Sequence, residues 1–306
     1  MRLSKILFNL TCVVILISCQ RKETRKVIQF FANGRPQFVN YYLDFTDTST
    51  YRREVLFENG KKEYVGEIVN GQKEGEWTWW YSNGNKKDKC KYTNGKEIDT
   101  IFHWYENGKL KKLEILKPRN EHSTSNCTLC CNATFLCYYE NGVLNEKFSK
   151  VNDEFEDSSK TWSSDGKLQE EGVFKNNKKE GRWKFFSSNG DITLRDFKNG
   201  LKNGYSLEIL SDSTGTQIIK GQYLSDLETG LWKWYTKDSI LKQTVNYENG
   251  KTIGELVIYY PNGKIKQKGL LINGYNIGPI KYFDENQKLI KTEFYKNNIL
   301  QRTIKN

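Results

Sequence analysis

Cys127, Cys130, Cys131 and Cys137 fall within eleven residues of one another in the stretch HSTSNCTLCCNATFLC, with His122 just upstream. Cys127-x-x-Cys130 has the spacing of a zinc-ligand pair, so a metal site built from three or four of these thiolates, with or without His122, is one chemistry the stretch offers. Oxidation is the other and the favoured one: in an exported chain such cysteines form disulfides, here one or two that close the loop. Four cysteines allow three complete pairings, and spacing does not choose among them. A cysteine nucleophile activated by His122 is the sharpest catalytic reading. Cys137 also belongs to the alternation Phe135, Cys137, Tyr139 and reads equally as a small buried apolar residue, as does Cys90 in a similar strand position.

Little else in the chain carries chemistry. His103 alternates with Ile101 and Tyr105 and is expected to be a packed ring. There is no nucleophile-elbow serine, no His-Glu-x-x-His pair and no phosphate-cradling glycine loop. The carboxylate pairs Glu170-Glu171 and Asp153-Glu154 read as solvated groups beside turns. The expectation is a protein that is not an enzyme and uses no cofactor.

The elements that must hold these residues are legible in GEWTWWYSNGN, residues 75–85. At a period of two, Trp77, Trp79 and Tyr81 point one way while Glu76, Thr78 and Trp80 point the other, as on a strand with one buried face. Asn83-Gly84 then reads as a tight hairpin turn with positive backbone angles. The turn recurs at Asn59, Asn107, Asn141, Asp165, Asn189, Asp238, Asn262 and Asn286, with a blurred member near Gly215, at intervals of 24 or 25 residues except one that is ten longer. Gly75, Gly181, Gly230, Gly254 and Gly278 lie eight residues before their turns, and the second and fourth residues after each are large and apolar. A second turn follows eleven residues after the first, as at Asn70-Gly71, Asn94-Gly95, Asn249-Gly250 and Asn273-Gly274. Each unit is thus two short strands and two turns, repeated about ten times.

Composition agrees. Aromatics are 14% of the 306 residues although mean hydropathy is -0.75, the pattern of small stacked units that each need a few large side chains. Disorder would show few aromatics instead. At the start of the chain, Arg2 and Lys5 precede the apolar run from Ile6 to Ile17, which is short for a membrane span and fits a secretory signal. Loss of residues 1–18 would lower the net charge from +11 to +9. Export makes nucleic acid the weakest partner for that charge, and the lysines after turns, as in NGKL and NGKI, read as solvated strand ends.

Two resemblances follow from these residues. Leu16-Ile17-Ser18-Cys19 resembles the lipobox of bacterial lipoproteins, which implies cleavage before Cys19 and its acylation by palmitate-type chains. Gln20 after it favours an outer membrane, on the periplasmic or the surface side. The units GEWTWWYSNGNKKDKCKYTNGK, GRWKFFSSNGDITLRDFKNG, GLWKWYTKDSILKQTVNYENGK and GELVIYYPNGKIKQKGLLINGY resemble the variant MORN repeat, which also recurs in bacterial proteins described as antitoxin-like. That resemblance implies an all-β fold: an elongated antiparallel sheet or solenoid of successive β-hairpin repeats of about 24 residues.

The expected organisation is a signal peptide at 1–18, a lipidated tether at 19–26, an atypical cap at 27–58, and repeats over 59–306 with a Cys-rich insertion at about 111–133. A lipobox sits badly with a cytoplasmic antitoxin. The reading is a membrane-anchored scaffold in the cell envelope that binds the bilayer through Cys19 and an envelope protein through its surface. The alternative is a carbohydrate-binding module that stacks sugars on Trp80, Trp104, Trp162 and Tyr235, which lie on the face opposite the repeated core positions.

Overall fold

The computed structural model describes residues 23–44, 46–117, 132–213 and 215–306. They form twenty-four β-strands and no helix. In chain order these are β1 Thr24–Phe30, β2 Pro36–Tyr42, β3 Thr50–Leu56, β4 Lys62–Val69, β5 Gln72–Trp80, β6 Lys86–Thr93, β7 Lys96–Trp104 and β8 Leu110–Leu116. They continue with β9 Asn132–Tyr138, β10 Leu144–Val151, β11 Glu154–Trp162, β12 Leu168–Lys175, β13 Lys178–Phe186, β14 Ile192–Lys198, β15 Leu201–Asp212 and β16 Gly215–Leu224. The last are β17 Leu227–Thr236, β18 Leu241–Glu248, β19 Lys251–Thr252, β20 Glu255–Tyr259, β21 Ile265–Ile272, β22 Tyr275–Phe283, β23 Leu289–Lys296 and β24 Ile299–Lys305.

Two compact units divide the described chain. The first holds residues 23–84 with Tyr92–Lys96, and the second holds Asn85–Lys91 with Glu97–Asn306. Within the first, β1 to β5 pair antiparallel in chain order. Residues 27–58, expected to be an atypical cap, therefore already form hairpins. Within the second, β7 to β18 run as an uninterrupted antiparallel meander, β18 pairs with both β19 and β20, and the meander resumes to β24. The all-β hairpin repeat read from the sequence is thus the architecture seen.

The two turns of each repeat are chemically different. At the second turn both central residues have positive φ, as at Asn70 (50°) with Gly71 (77°) and Asn176 (49°) with Asn177 (62°), the two-residue type I′ hairpin that asparagine and glycine favour. At the first turn only the residue after the Asn or Asp is positive, a glycine such as Gly84 at 96° in most repeats and Ser239 (63°) or Gln287 (68°) in two, so the tight Asn-Gly turn expected there is instead a longer loop with one left-handed residue. Its asparagine is used for its side chain. Asn59 Oδ1 accepts from the Lys61 backbone N–H at 2.9 Å, while its Nδ2 donates to the Ser82 carbonyl of the next loop at 2.9 Å. Asn141 repeats both contacts, to Val143 and to Ser164. The lysines expected to be merely solvated join this staple: Lys109 Nζ donates to the Asn141 carbonyl at 3.0 Å and Lys264 Nζ to the Glu285 carbonyl at 2.8 Å.

Packing contacts join strands that are neighbours in the meander, so each core must be assembled from one sheet's own side chains. Glycine makes that possible. Trp77, Trp183, Trp232 and Ile280, each nearly or wholly buried, lie on Gly66, Gly172, Gly221 and Gly269, and a Cβ on those glycines would stand 2.0, 2.1, 2.1 and 2.7 Å from them. Opposite each such glycine the partner strand bulges, with three residues facing one: Val65 pairs with Thr78 and Glu67 with Glu74, leaving Gly75 to Trp77 across from Gly66. Gly75, Gly181, Gly230 and Gly278 begin these bulges with φ between 65° and 74°. The indole is thereby laid flat on bare backbone, and its N–H is satisfied there: Trp77 Nε1 donates to the Glu67 carbonyl at 3.1 Å and Trp183 Nε1 to that of Val173 at 3.0 Å.

One repeat inverts the arrangement. Phe148 occupies the glycine position, Ser159 the indole position and Asp157 (φ 65°) that of the bulge glycine. Ser159 is buried, and the ring now comes from the other strand, stacked on Phe135 at 4.9 Å.

Candidate functional site

The face that carries the indoles gathers further rings around each one. In the first unit Tyr64, Trp79 and Tyr92 surround Trp77, and the Lys73 ammonium stands 4.6, 4.8 and 4.7 Å from the centroids of Trp77, Trp79 and Tyr92. In the second unit Phe174, Phe185 and Phe197 surround Trp183, with Lys179 at 4.0, 4.6 and 5.8 Å from Trp183, Phe185 and Phe197. Ring faces attract the ammonium by their quadrupoles, about 0.5–2 kcal/mol per contact, and the lysine stem covers the rings from water. Tyr223, Trp234 and Tyr247 form the third such cluster around Trp232.

On the same face His103 takes the strand position that Trp79, Phe185 and Trp234 hold elsewhere, as the alternation with Ile101 and Tyr105 predicts. It is not simply a packed ring. Its Nδ1 lies 2.6 Å from Asp88 and its Nε2 3.1 Å from Glu114, whose carboxylate also meets Lys112 at 2.5 Å. The hydrogen bonds to Asp88 and then Glu114 lift the imidazole to about pKa 9, and that from His103 holds Glu114 down at about 2. His103, Lys112, Cys137 and Glu146 stand in one register row across β7 to β10. Burial, followed by the charge of Glu146, pushes the Cys137 thiol up, opposite to what a nucleophile or a metal ligand needs. Cys137, offered as a disulfide or metal candidate, is a free thiol in β9. Cys90 is buried, as expected of a packing residue.

The opposite face of the second unit is basic. An unbroken register row leads from Lys147 through Lys160, Glu171, Lys184, Leu194 and Leu207 to Lys220, Lys233, Thr244, Val257, Lys268 and Lys281. Three of its steps set lysine directly against lysine: 147 with 160, 220 with 233, and 268 with 281. Like charges at such spacing repel by about 0.8 kcal/mol even in water-like surroundings. Glu171 relieves one end, bridging Lys160 at 2.7 Å and Lys184 at 2.9 Å, so it is a mid-strand ion-pair partner and not a solvated group beside a turn. Glu170 likewise sits within β12 and meets Lys179 at 3.0 Å.

Trp80, Trp104, Trp162 and Tyr235 are all half-buried. Within the second unit Trp104, Trp162 and Tyr235 each stand at a strand end opposite a leucine, namely Leu110, Leu168 and Leu241. Trp104 is stacked on Phe102 at 5.7 Å and 11°, and Lys220 covers Tyr235 at 5.0 Å. Their backbones are tied in as well, since the Tyr139 hydroxyl donates to the Trp162 carbonyl at 2.9 Å. Cys19, Cys127, Cys130, Cys131 and His122 lie outside the described residues. Among the described residues no cluster of three metal-ligating side chains occurs. The sequence reading missed Lys73, Lys179 and the glycines under the indoles. The signal was present: a glycine eleven residues before Trp77, Trp183 and Trp232 and a charged residue four before each.

A family model described as MORN repeat variant matches residues 73–94, 158–176, 228–249 and 253–273. No curated protein matches the sequence. Among solved structures the chain is similar to "Crystal Structure of TcdB2-TccC3-Cdc42", at 10% identity and a TM-score of 0.19 over 90% of this chain. It is similar also to "Crystal Structure of TcdB2-TccC3 without hypervariable C-terminal region", at 11% identity, the same TM-score and 90% of this chain. In both cases the chain spans only 18% of the matched chain's length.

Proposed function

We propose that this protein is a non-enzymatic lipoprotein of the bacterial envelope, anchored through acylated Cys19, whose repeat sheet serves as a scaffold for a partner protein with an acidic face. The match to MORN repeat variants supports an interaction role at the level of the module. The observation that carries the partner's chemistry is the lysine row of the second unit. Glu171 and Glu255 relieve two of its three lysine-on-lysine steps, and the repulsion left at Lys220 and Lys233 is one that an anionic partner surface would offset; such complementarity raises association rates and specificity.

The test is affinity purification from solubilised membranes with three forms of the full chain: wild type, Cys19→Ala, and a form with Lys220, Lys233, Lys268 and Lys281 changed to Glu. The wild type is expected to recover a reproducible acidic protein, with recovery falling as salt rises. The charge-reversed form is expected to lose it while remaining folded, and Cys19→Ala to leave the membrane fraction. Unchanged membrane association of Cys19→Ala removes the anchor. Unchanged recovery by the charge-reversed form removes the lysine face, and specific elution by a glycan instead moves the function to the rings at Trp80, Trp104, Trp162 and Tyr235.

A further inference from the structure

The three ring clusters built around an indole differ in the charge carried at one position. Four positions before the indole, Lys73 and Lys179 supply the ammonium that the rings enclose, but before Trp232 the residue is Glu228. Glu228 keeps the strand position of those lysines: it pairs directly with Tyr223 across β16 and β17, as Lys179 pairs with Phe174 across β12 and β13. The Tyr223 hydroxyl donates to its carboxylate, and its charge reaches Tyr247. Lys202 and Arg195 approach Tyr223 at 4.9 and 5.2 Å, on the β15 side. Over Trp232, Trp234 and Tyr247 no lysine or arginine stands among the described residues.

This cluster therefore has the rings of a cation site, a carboxylate in place of the internal cation, and no ammonium of its own on the β17–β18 side. Its rings are spaced much as in the other two: Trp234 stands 6.4 Å from Trp232, against 5.7 and 6.1 Å for the equivalent pairs, while Tyr247 stands 5.9 Å from it, against 6.1 and 6.4 Å. The Trp232 indole N–H, buried on Gly221 as its counterparts are on their own glycines, lacks the carbonyl acceptor that Trp77 and Trp183 find. In the other two clusters the tethered ammonium of a lysine occupies the rings. Here the same rings stand beside a carboxylate, which suits a weakly hydrated cation brought from outside, because indole faces attract it without needing N–H donors.

We propose that Trp232, Trp234, Tyr247 and Glu228 form a binding site for an alkylated organic ammonium, such as the trimethylammonium group of a free small molecule or of a lipid headgroup. The site is independent of the lysine row and of the scaffold reading. The neighbouring repeats supply its control, since Glu228→Lys rebuilds the internal cation that Lys73 and Lys179 provide.

Choline and its neutral isostere 3,3-dimethylbutanol are titrated into the full chain, with tryptophan fluorescence and calorimetry as readouts. Choline is expected to bind and the neutral isostere to bind at least ~10-fold more weakly. Glu228→Lys is expected to weaken choline binding by at least ~10-fold with the melting temperature unchanged or raised. Trp234→Phe, which keeps a ring in the cluster, should weaken it less. Co-sedimentation of wild type, but not of Glu228→Lys, with phosphatidylcholine vesicles assigns the cation to a headgroup; binding of free choline without such sedimentation assigns it to a soluble ligand. No choline binding by wild type, equal binding of the neutral isostere, or wild-type affinity in a folded Glu228→Lys protein overturns the proposal.

Discussion

Gly172→Phe is expected to destabilise the second unit by more than ~3 kcal/mol, and Trp183→Ser by a similar amount, whereas the double variant recovers about 2 kcal/mol of the combined loss. The first change has no room: even a Cβ at Gly172 would stand 2.1 Å from the Trp183 ring, and overpacking cannot be relieved while the indole lies on the backbone. The second leaves a cavity the size of an indole where Trp183 is fully buried among Phe174, Phe185 and Phe197. The protein itself shows why the two should compensate, since Phe148 and Ser159 hold the same two positions with the ring on the opposite strand. Urea unfolding of the four members of the cycle, read together with amide exchange in β12 and β13, measures the coupling. Strict additivity would mean that ring and glycine are not one packing unit.

Between about pH 6.5 and 9 the protein is expected to lose on the order of 2 kcal/mol of stability that His103→Phe does not lose. The imidazole, ordinarily near 6.5, is raised to about 9 by Asp88 and Glu114 in the folded state. Its contribution is therefore complete below 6.5 and disappears as pH rises through 9. Glu114 works in the other direction: ordinarily 4.5 and held at about 2, it contributes fully above 4.5 and is lost as pH falls toward 2. The pair is strongest between those limits, from about 4.5 to 6.5. Phenylalanine is the replacement of choice because Phe185 fills the equivalent position. Unfolding at pH 6 and pH 9.5 for both proteins gives the difference, and the His103 ring resonances locate the titration directly. A resonance titrating near 6.5 would show that the two carboxylates do not hold the proton.

Periodicity of two, recurrent turns and a stride of 24 or 25 residues were enough to read an all-β hairpin repeat, because each leaves a direct trace in residue types. What the pattern hides is which property of a residue is being used. Asn83 and Asn94 look alike in the sequence, yet only Asn94 has a positive φ, while at first turns such as that of Asn59 the side chain bonds to the next loop. The difference lies in the loop's length, which depends on where pairing stops. Gly66, Gly172 and Gly221 sit inside polar alternating stretches and announce nothing until the partner strand's bulge is known, since the bulge decides which ring comes to rest there. His103 was placed on the correct face by its neighbours. Its chemistry could not be read, because Asp88 and Glu114 belong to other strands and meet it only through register.

The loop staples have a consequence for how such a chain changes length. Asn107 and Lys109 reach the loop at Glu140 and Asn141, and Asn141 reaches the loop at Ser164: these staples run from a turn to its immediate successor. Because these staples donate to backbone carbonyls, which every residue carries, a whole hairpin pair can be duplicated or deleted in the gene with such links re-formed, while an insertion of a few residues would break the links on either side of it. Growth by complete modules is the inexpensive path for this architecture.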